Sequence, residues 1–152
     1  YAFEDLVLQC PDVPTLGFCG SHQLLGFVFN SGFRHLERVE DEPMRRLRPG
    51  EPQIGGVSAQ GAGWYSEQGF YPVRIAKPDP LWAGLPDPFV VRESHYCEVK
   101  RLPAEFDLIA TSDNCRVQAM KHRDRPLYGT QFHPERSAGV GARILRNFLE
   151  AC

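Results

Sequence analysis

No run of apolar residues in this sequence is long enough to span a bilayer: the longest, Leu24 to Phe29, is broken by Gly26. No membrane segment is expected. No charged-then-apolar leader opens the chain either, so no secretion signal is expected, although the chain begins at Tyr1 and not at a Met. Excess charge of one sign is missing too. The 17 basic and 19 acidic residues leave a formal net charge of −2, with no acidic tail and no basic face broad enough to hold nucleic acid. The five cysteines (Cys10, Cys19, Cys97, Cys115 and Cys152) contain no C-x-x-C pair, so neither a zinc ribbon nor a disulfide framework is indicated. A reducing, cytoplasmic setting is the better reading, with no metal and no cofactor called for. An odd set of free thiols raises the question of whether one of them is chemically active.

What is present fits one soluble globular domain over residues 1–152, with 42% hydrophobic and 24% charged residues and neither internal repeats nor low-complexity tracts. Val13 to Phe18 reads as a short buried strand between Pro11 and glycine. From Gly20 the period changes: Leu24, Leu25, Val28 and Phe29 share one face of a helix that Gly32 can end. β-rich segments follow at 71–76, 89–92, 106–111, 117–121 and 127–132. The last two flank the polar turn His122 to Pro126 and are expected to form an antiparallel hairpin. A closing helix carries Val140, Ile144, Leu145, Phe148 and Leu149 on one side. Residues 40–54 and 58–69 are expected to be surface connections. The mixture points to one α/β sheet with an irregular second half.

Chemistry concentrates at two places. In Gly17-Phe18-Cys19-Gly20-Ser21 a thiol sits on a strand-to-helix turn, where a nucleophile is held out of the sheet and within reach of a substrate. The helix N-terminus is expected to lower the pKa of that thiol. Alone, the segment is more often a small buried cysteine at a strand end. In Tyr128 to Glu135 a strand delivers His133 to its carboxyl end, and Pro134 breaks regular structure so that Glu135 can turn back to the imidazole. A carboxylate there fixes the tautomer and stabilises an imidazolium. Alone, His-Pro-Glu is more often a strand exit with a helix cap. Together, Cys19, His133 and Glu135 supply a nucleophile, a base and an orienting group at the strand edge where open α/β sheets bind ligands.

These motifs resemble the class I, triad-type glutamine amidotransferases over essentially the whole chain: LGFCGSHQLL at 16–25, ESHYCEV at 93–99 followed by Leu102-Pro103, and YGTQFHPE at 128–135. The resemblance implies a flavodoxin-like open mixed sheet with helices on both faces, and a Cys19–His133–Glu135 triad. It further implies that Gly20 N–H is an oxyanion donor, that Gln23 contacts the substrate, and that Tyr96 and Cys97 grip its amino-acid end. The substrate implied is glutamine; the partner implied is an ammonia-accepting synthetase or transferase domain or subunit. His95 is read as a packed, hydrogen-bonded histidine. Glu93 either reaches a cationic amine of the substrate or is a solvated strand-end carboxylate. Trp64, Tyr65, Phe70 and Tyr71 cover the site or a partner face, or, more often for such residues, simply pack. The segment 93–99 reads like guanylate-synthase-type members.

Two departures from the family pattern stand out. The usual glycine two residues after the nucleophile is Ser21 here, with glycine one place earlier at Gly20. The family's first strand and its glycine-rich oxyanion loop have no counterpart before Tyr1 to Pro11, so the chain is expected to be a fragment. Two other functions keep the same motifs: hydrolysis of γ-glutamyl amides or peptides without ammonia delivery, and a noncatalytic module that binds glutamine or a partner.

Overall fold

A computed structural model describes residues 2–32, 42–55 and 61–151 of the chain. Helix α1 (Ala2–Gln9) leads into strand β1 (Thr15–Phe18), which turns at Cys19 into helix α2 (Gly20–Asn30). Strands β2 (Glu67–Ile75), β3 (Phe89–His95), β4 (Phe106–Thr111), β5 (Ala119–His122) and β6 (Leu127–Thr130) follow, and helix α3 (Ala138–Ala151) closes the chain. Helix α2 stops where glycine can take a left-handed conformation: Gly32 has φ 72°, and its N–H donates to the carbonyls of Phe27 and Val28 at 2.9 and 3.1 Å.

The six strands form one sheet in the order β1-β6-β5-β4-β2-β3. β1 and β6 are parallel, with Phe18 opposite Thr130, whereas β5 and β6 form the antiparallel hairpin expected from the His122–Pro126 turn. Side chains alternate across the sheet and build a core on each face. On one face α2 lays Leu25 and Val28 over Leu127, Met120 and Phe106, with Val7 of α1 beside them. On the other, α3 sets Ile144 against Tyr128, Ala119, Ile109, Val73 and Phe132. Helices thus cover both faces of an open mixed sheet, as the resemblance implied.

The closing helix is phased differently from expectation at one position. Ile144 is buried and Val140 and Phe148 pack against the core, but Leu149 is 75% exposed. Its place five residues after Ile144 turns it well off the packed face, at about 100° per residue. Buried Asn147 is on that face instead, and its amide donates to the carbonyls of Leu81 and Ala83 at 2.9 Å each. The expected surface connection at 58–69 also ends too late: Ser66 and Glu67 are buried, because β2 already begins at Glu67. Residues 40, 41 and 58–60 of the two expected connections lie outside the described residues.

One feature of the sheet positions the site. Strand β2 is long enough to serve two partners: residues 67–73 pair with β3, and Arg74 and Ile75 pair with β4. The β2–β3 hairpin reaches back over the carboxyl ends of β1 and β6, where His133 N–H donates to Arg92 O at 2.9 Å and Ser94 O lies 3.8 Å from Cys19 Sγ.

Candidate active site

Cys19 sits at φ 44°, ψ −103°, between β1 and α2. A non-glycine residue with that backbone is strained, and such strain persists only where the surroundings impose it. Here they do: Cys19 N–H donates to Thr130 O at 2.8 Å, and Cys19 O accepts from Gln23 N–H at 3.0 Å, so both ends of the turn are tied. Room for the turn comes from Gly17 rather than Gly20. A Cβ on Gly17 would stand 3.1 Å from Ser21 Cβ, whereas one on Gly20 would meet nothing within 4 Å. Ser21 is therefore accommodated by the glycine before the cysteine.

A cavity of about 180 Å³ opens in front of the thiol, lined by Cys19, Gln23, Ser94, His95, Tyr96 and Cys97. A larger hollow between α1 and the end of α2 is remote from the thiol. Gln23 Nε2 donates to Cys97 O at 2.9 Å and approaches Gln131 Oε1 at 3.3 Å, and Gln131 Nε2 lies 3.7 Å from Cys19 Sγ. Tyr96 O accepts from Met44 N–H at 2.8 Å, which ties the pocket wall to the segment before Arg45.

The parallel pairing of β1 with β6 brings the chain after Thr130 to the same edge as Cys19. There His133 Nδ1 and Glu135 Oε1 are 2.7 Å apart. The Pro134–Arg136 turn that bends Glu135 back is sealed by Ser137, whose hydroxyl donates to His133 O at 2.6 Å and accepts from Arg92 N–H at 2.9 Å. Ser94 O and Gln131 Nε2 lie 3.8 and 3.7 Å from the sulfur and the Gly20 N–H faces it; among the described residues no hydrogen bond joins it to His133.

The expected lowering of the thiol's pKa is overturned. Burial raises the pKa of Cys19, and the charges of Glu93 and Glu135 raise it further; the Gly20 N–H and the Gln131 amide act in the other direction without prevailing. Desolvation penalises the thiolate more than the start of α2 helps it, so the resting group is a thiol.

Glu93 is neither a solvated strand-end carboxylate nor a group exposed to a substrate amine. It is fully buried, 3.2 Å from His95 Nε2, and Glu67 Oε2 lies at the same distance from that nitrogen. His95 is packed and hydrogen-bonded as expected, with Nδ1 2.9 Å from Cys97 O. Among the aromatics, Trp64 and Tyr65 are stacked by Arg46 and Arg45, and Phe70 is 62% exposed on the outer side of β2. None of the four lines the cavity.

Sequence reasoning missed Gln131, Ser137 and Glu67. Gln131 lies within the YGTQFHPE block, but its aim at the sulfur depends on how β6 ends. Glu67 has no local signal at all.

A family model for class-I glutamine amidotransferases matches residues 6–152. The chain belongs to that family. Among this amidotransferase chain's relatives is the glutamine-hydrolyzing GMP synthase subunit of Archaeoglobus fulgidus, 37% identical over 149 residues, covering 97% of this chain and 67% of the relative. The Pyrococcus furiosus protein of the same name is 38% identical over 142 residues, covering 93% and 61%. Of solved structures, a candidate GMP synthase subunit from Thermoplasma acidophilum superposes with a TM-score of 0.69 at 28% identity, covering 95% of this chain and 60% of that one. A Thermotoga maritima glutamine amidotransferase shares the fold at 22% identity and a TM-score of 0.61, covering 99% of this chain and 52% of that one. The amidotransferase chain thus spans roughly half to two thirds of the length of these proteins. Among its described residues no helix is long and apolar enough to cross a membrane.

Proposed function

We propose that this chain hydrolyses the side-chain amide of glutamine, with Cys19 as nucleophile, His133 as general base and acid, and Glu135 as the group that orients His133. One observation carries the reading: the strained turn at Cys19 presents the thiol to a small pocket, and the neighbouring parallel strand delivers a carboxylate-paired imidazole to the same edge.

Because the resting group is a thiol, a base is required before attack. Glu135 occupies the Nδ1 side of His133, which leaves Nε2 to take the proton. Hydrogen-bond contacts between such groups commonly tighten only when substrate is bound. The thiolate then adds to the amide carbonyl carbon, and its oxygen becomes an oxyanion that the Gly20 N–H stabilises. The carbon–nitrogen bond breaks, the imidazolium passes its proton to the departing nitrogen as ammonia leaves, and a γ-glutamyl thioester remains. Water, deprotonated by the same imidazole, cleaves the thioester to glutamate and restores the thiol. Gln23 and the Tyr96–Cys97 segment hold the amino-acid end of the substrate.

By likeness to the relatives named above, the ammonia acceptor is the synthetase partner of a GMP synthase, and the setting is the cytoplasm, where the thiol stays reduced. The test is glutamine hydrolysis by the intact protein with and without Cys19→Ala, together with labelling by a glutamine-analogue electrophile. Loss of hydrolysis and a mass adduct on Cys19 are expected. Hydrolysis retained in Cys19→Ala overturns the assignment. Cleavage of γ-glutamyl amines in preference to glutamine would redirect it to a γ-glutamyl hydrolase.

A further inference from the structure

Beneath the pocket floor lies an ion cluster that the proposed reaction does not use. Glu67 of β2 and Glu93 and His95 of β3 are all buried, and both carboxylates stand 3.2 Å from His95 Nε2. The other ring nitrogen, Nδ1, lies 2.9 Å from the carbonyl of Cys97, which can only accept. Nδ1 must therefore carry a proton. Nε2 stands beside both carboxylates, whose hydrogen bonds and charges favour a proton there as well and make the ring an imidazolium, while burial raises the pKa of Glu93.

The Cys97 carbonyl is the node of a longer chain. It accepts from Gln23 Nε2 at 2.9 Å as well as from His95; Gln23 continues to Gln131, and Gln131 to the sulfur of Cys19. We propose that Glu67 and Glu93 are positioning residues for the substrate pocket: by keeping His95 a donor at both nitrogens they fix the Cys97 carbonyl, and through it Gln23 and Gln131 beside the thiol. The role rests on the glutamine-hydrolysing reading above; the charge state of His95 does not.

The linkage has a definite sign. Burial opposes the charged ring, but the hydrogen bonds and charges of Glu67 and Glu93 outweigh it and raise the His95 pKa to about 9. The arrangement is fully present below the ordinary histidine value of 6.5 and is lost as pH rises through about 9. Other titratable groups coupled to the cluster are His22 on α2, Tyr65 just before β2, Cys115 with its neighbour Glu98, and Cys19 itself. Asn114 donates to the second oxygen of Glu67 at 3.1 Å.

Glu93→Gln removes one charge with little change of shape and brings the His95 midpoint down toward 6.5. At pH 8 the neutral ring then keeps its single proton on Nε2 for the Glu67 carboxylate, and the Nδ1 lone pair turns against the Cys97 carbonyl. In the intact protein, the KM for glutamine of Glu93→Gln is expected to rise about tenfold between pH 6 and pH 8, while kcat changes far less. The unsubstituted protein shows no such rise in that window, which ends below the titration of glutamine's own amino group. Equal KM ratios in the two proteins overturn the proposal. A second measurement is independent of turnover and of whether the variant folds: the ring-nitrogen NMR shifts of His95 in the unsubstituted protein. A doubly protonated ring at pH 8 supports the proposal, and an ordinary titration midpoint near 6.5 overturns it. If the unsubstituted protein hydrolyses no glutamine, the catalytic reading has failed, and the NMR result still decides the state of the cluster.

Discussion

Two glycines at the start of α3, two residues apart, are predicted to respond to the same substitution in opposite ways. A Cβ placed on Gly141 would stand 1.8 Å from the backbone oxygen of Pro134 and 2.8 Å from its carbon, whereas one on Gly139 would meet nothing within 4 Å. The Gly141 contact is with backbone, not with the end of a flexible side chain, so no rotamer change relieves it. Restoring even a tight contact requires α3 and the Pro134–Arg136 turn to separate by roughly 1.2 Å, and overpacking of this kind costs about 1–3 kcal/mol. That turn carries Glu135, and His133 is its first flanking residue. Displacements of about 1 Å in a catalytic array can lower rates roughly 100-fold. Gly141→Ala should therefore lose both stability, read by denaturant unfolding, and glutamine hydrolysis, read as kcat/KM. Gly139→Ala should keep activity and gain about 0.5–1 kcal/mol, because alanine loses less backbone entropy on entering a helix. If Gly141→Ala matched Gly139→Ala in both assays, the close approach of α3 to the turn would be wrong, and with it the account of how Glu135 is aimed.

Alkylation of Cys19 should accelerate with a midpoint above the ordinary thiol value, and Glu135→Gln should bring that midpoint down by removing one of the charges that oppose the thiolate. The same Glu135→Gln should lower kcat by about 10-fold or more while leaving the alkylation product on Cys19, which peptide mass mapping checks. His22 is fully buried and held neutral by desolvation, with its pKa lowered to about 4. Its contribution is complete above 6.5 and disappears as pH falls from 6.5 toward 4, a loss of about 3 kcal/mol in unfolding free energy measured by urea titration. His22→Gln should flatten that slope; an unchanged pH profile would place the acid sensitivity elsewhere. Gly129→Ala should destabilise by about 1–3 kcal/mol in the same urea assay, because its Cβ would stand 2.6 Å from His22 Nδ1.

Much of the fold was legible because short-range signals agreed with it. β4 runs over the expected 106–111, the His122–Pro126 turn makes the expected hairpin, and α2 ends at the expected glycine. Leu149 misled because a string of apolar residues does not say where a helix's packed face ends, and Asn147 took part of that face by bonding two carbonyls. In the site, Cys19, His133 and Glu135 were visible because glycine and proline punctuate the strand ends that carry them. Glu67, Gln131 and Ser137 were not, since each acquires its contacts only from a distant part of the chain.

The sequence by itself determined which chemical groups stand at the strand ends, since that depends on neighbours within a few residues. It could not determine their protonation or their surroundings. The Cys19 thiol was expected to be acidified by the start of α2, an effect visible locally. Its pKa rises instead, because burial under the β2–β3 hairpin removes water that a thiolate needs. Likewise Glu93 is an ordinary carboxylate on paper and a buried counter-charge to His95 in the molecule. Desolvation and long-range pairing are properties of the assembled sheet, and only the tertiary structure decides them.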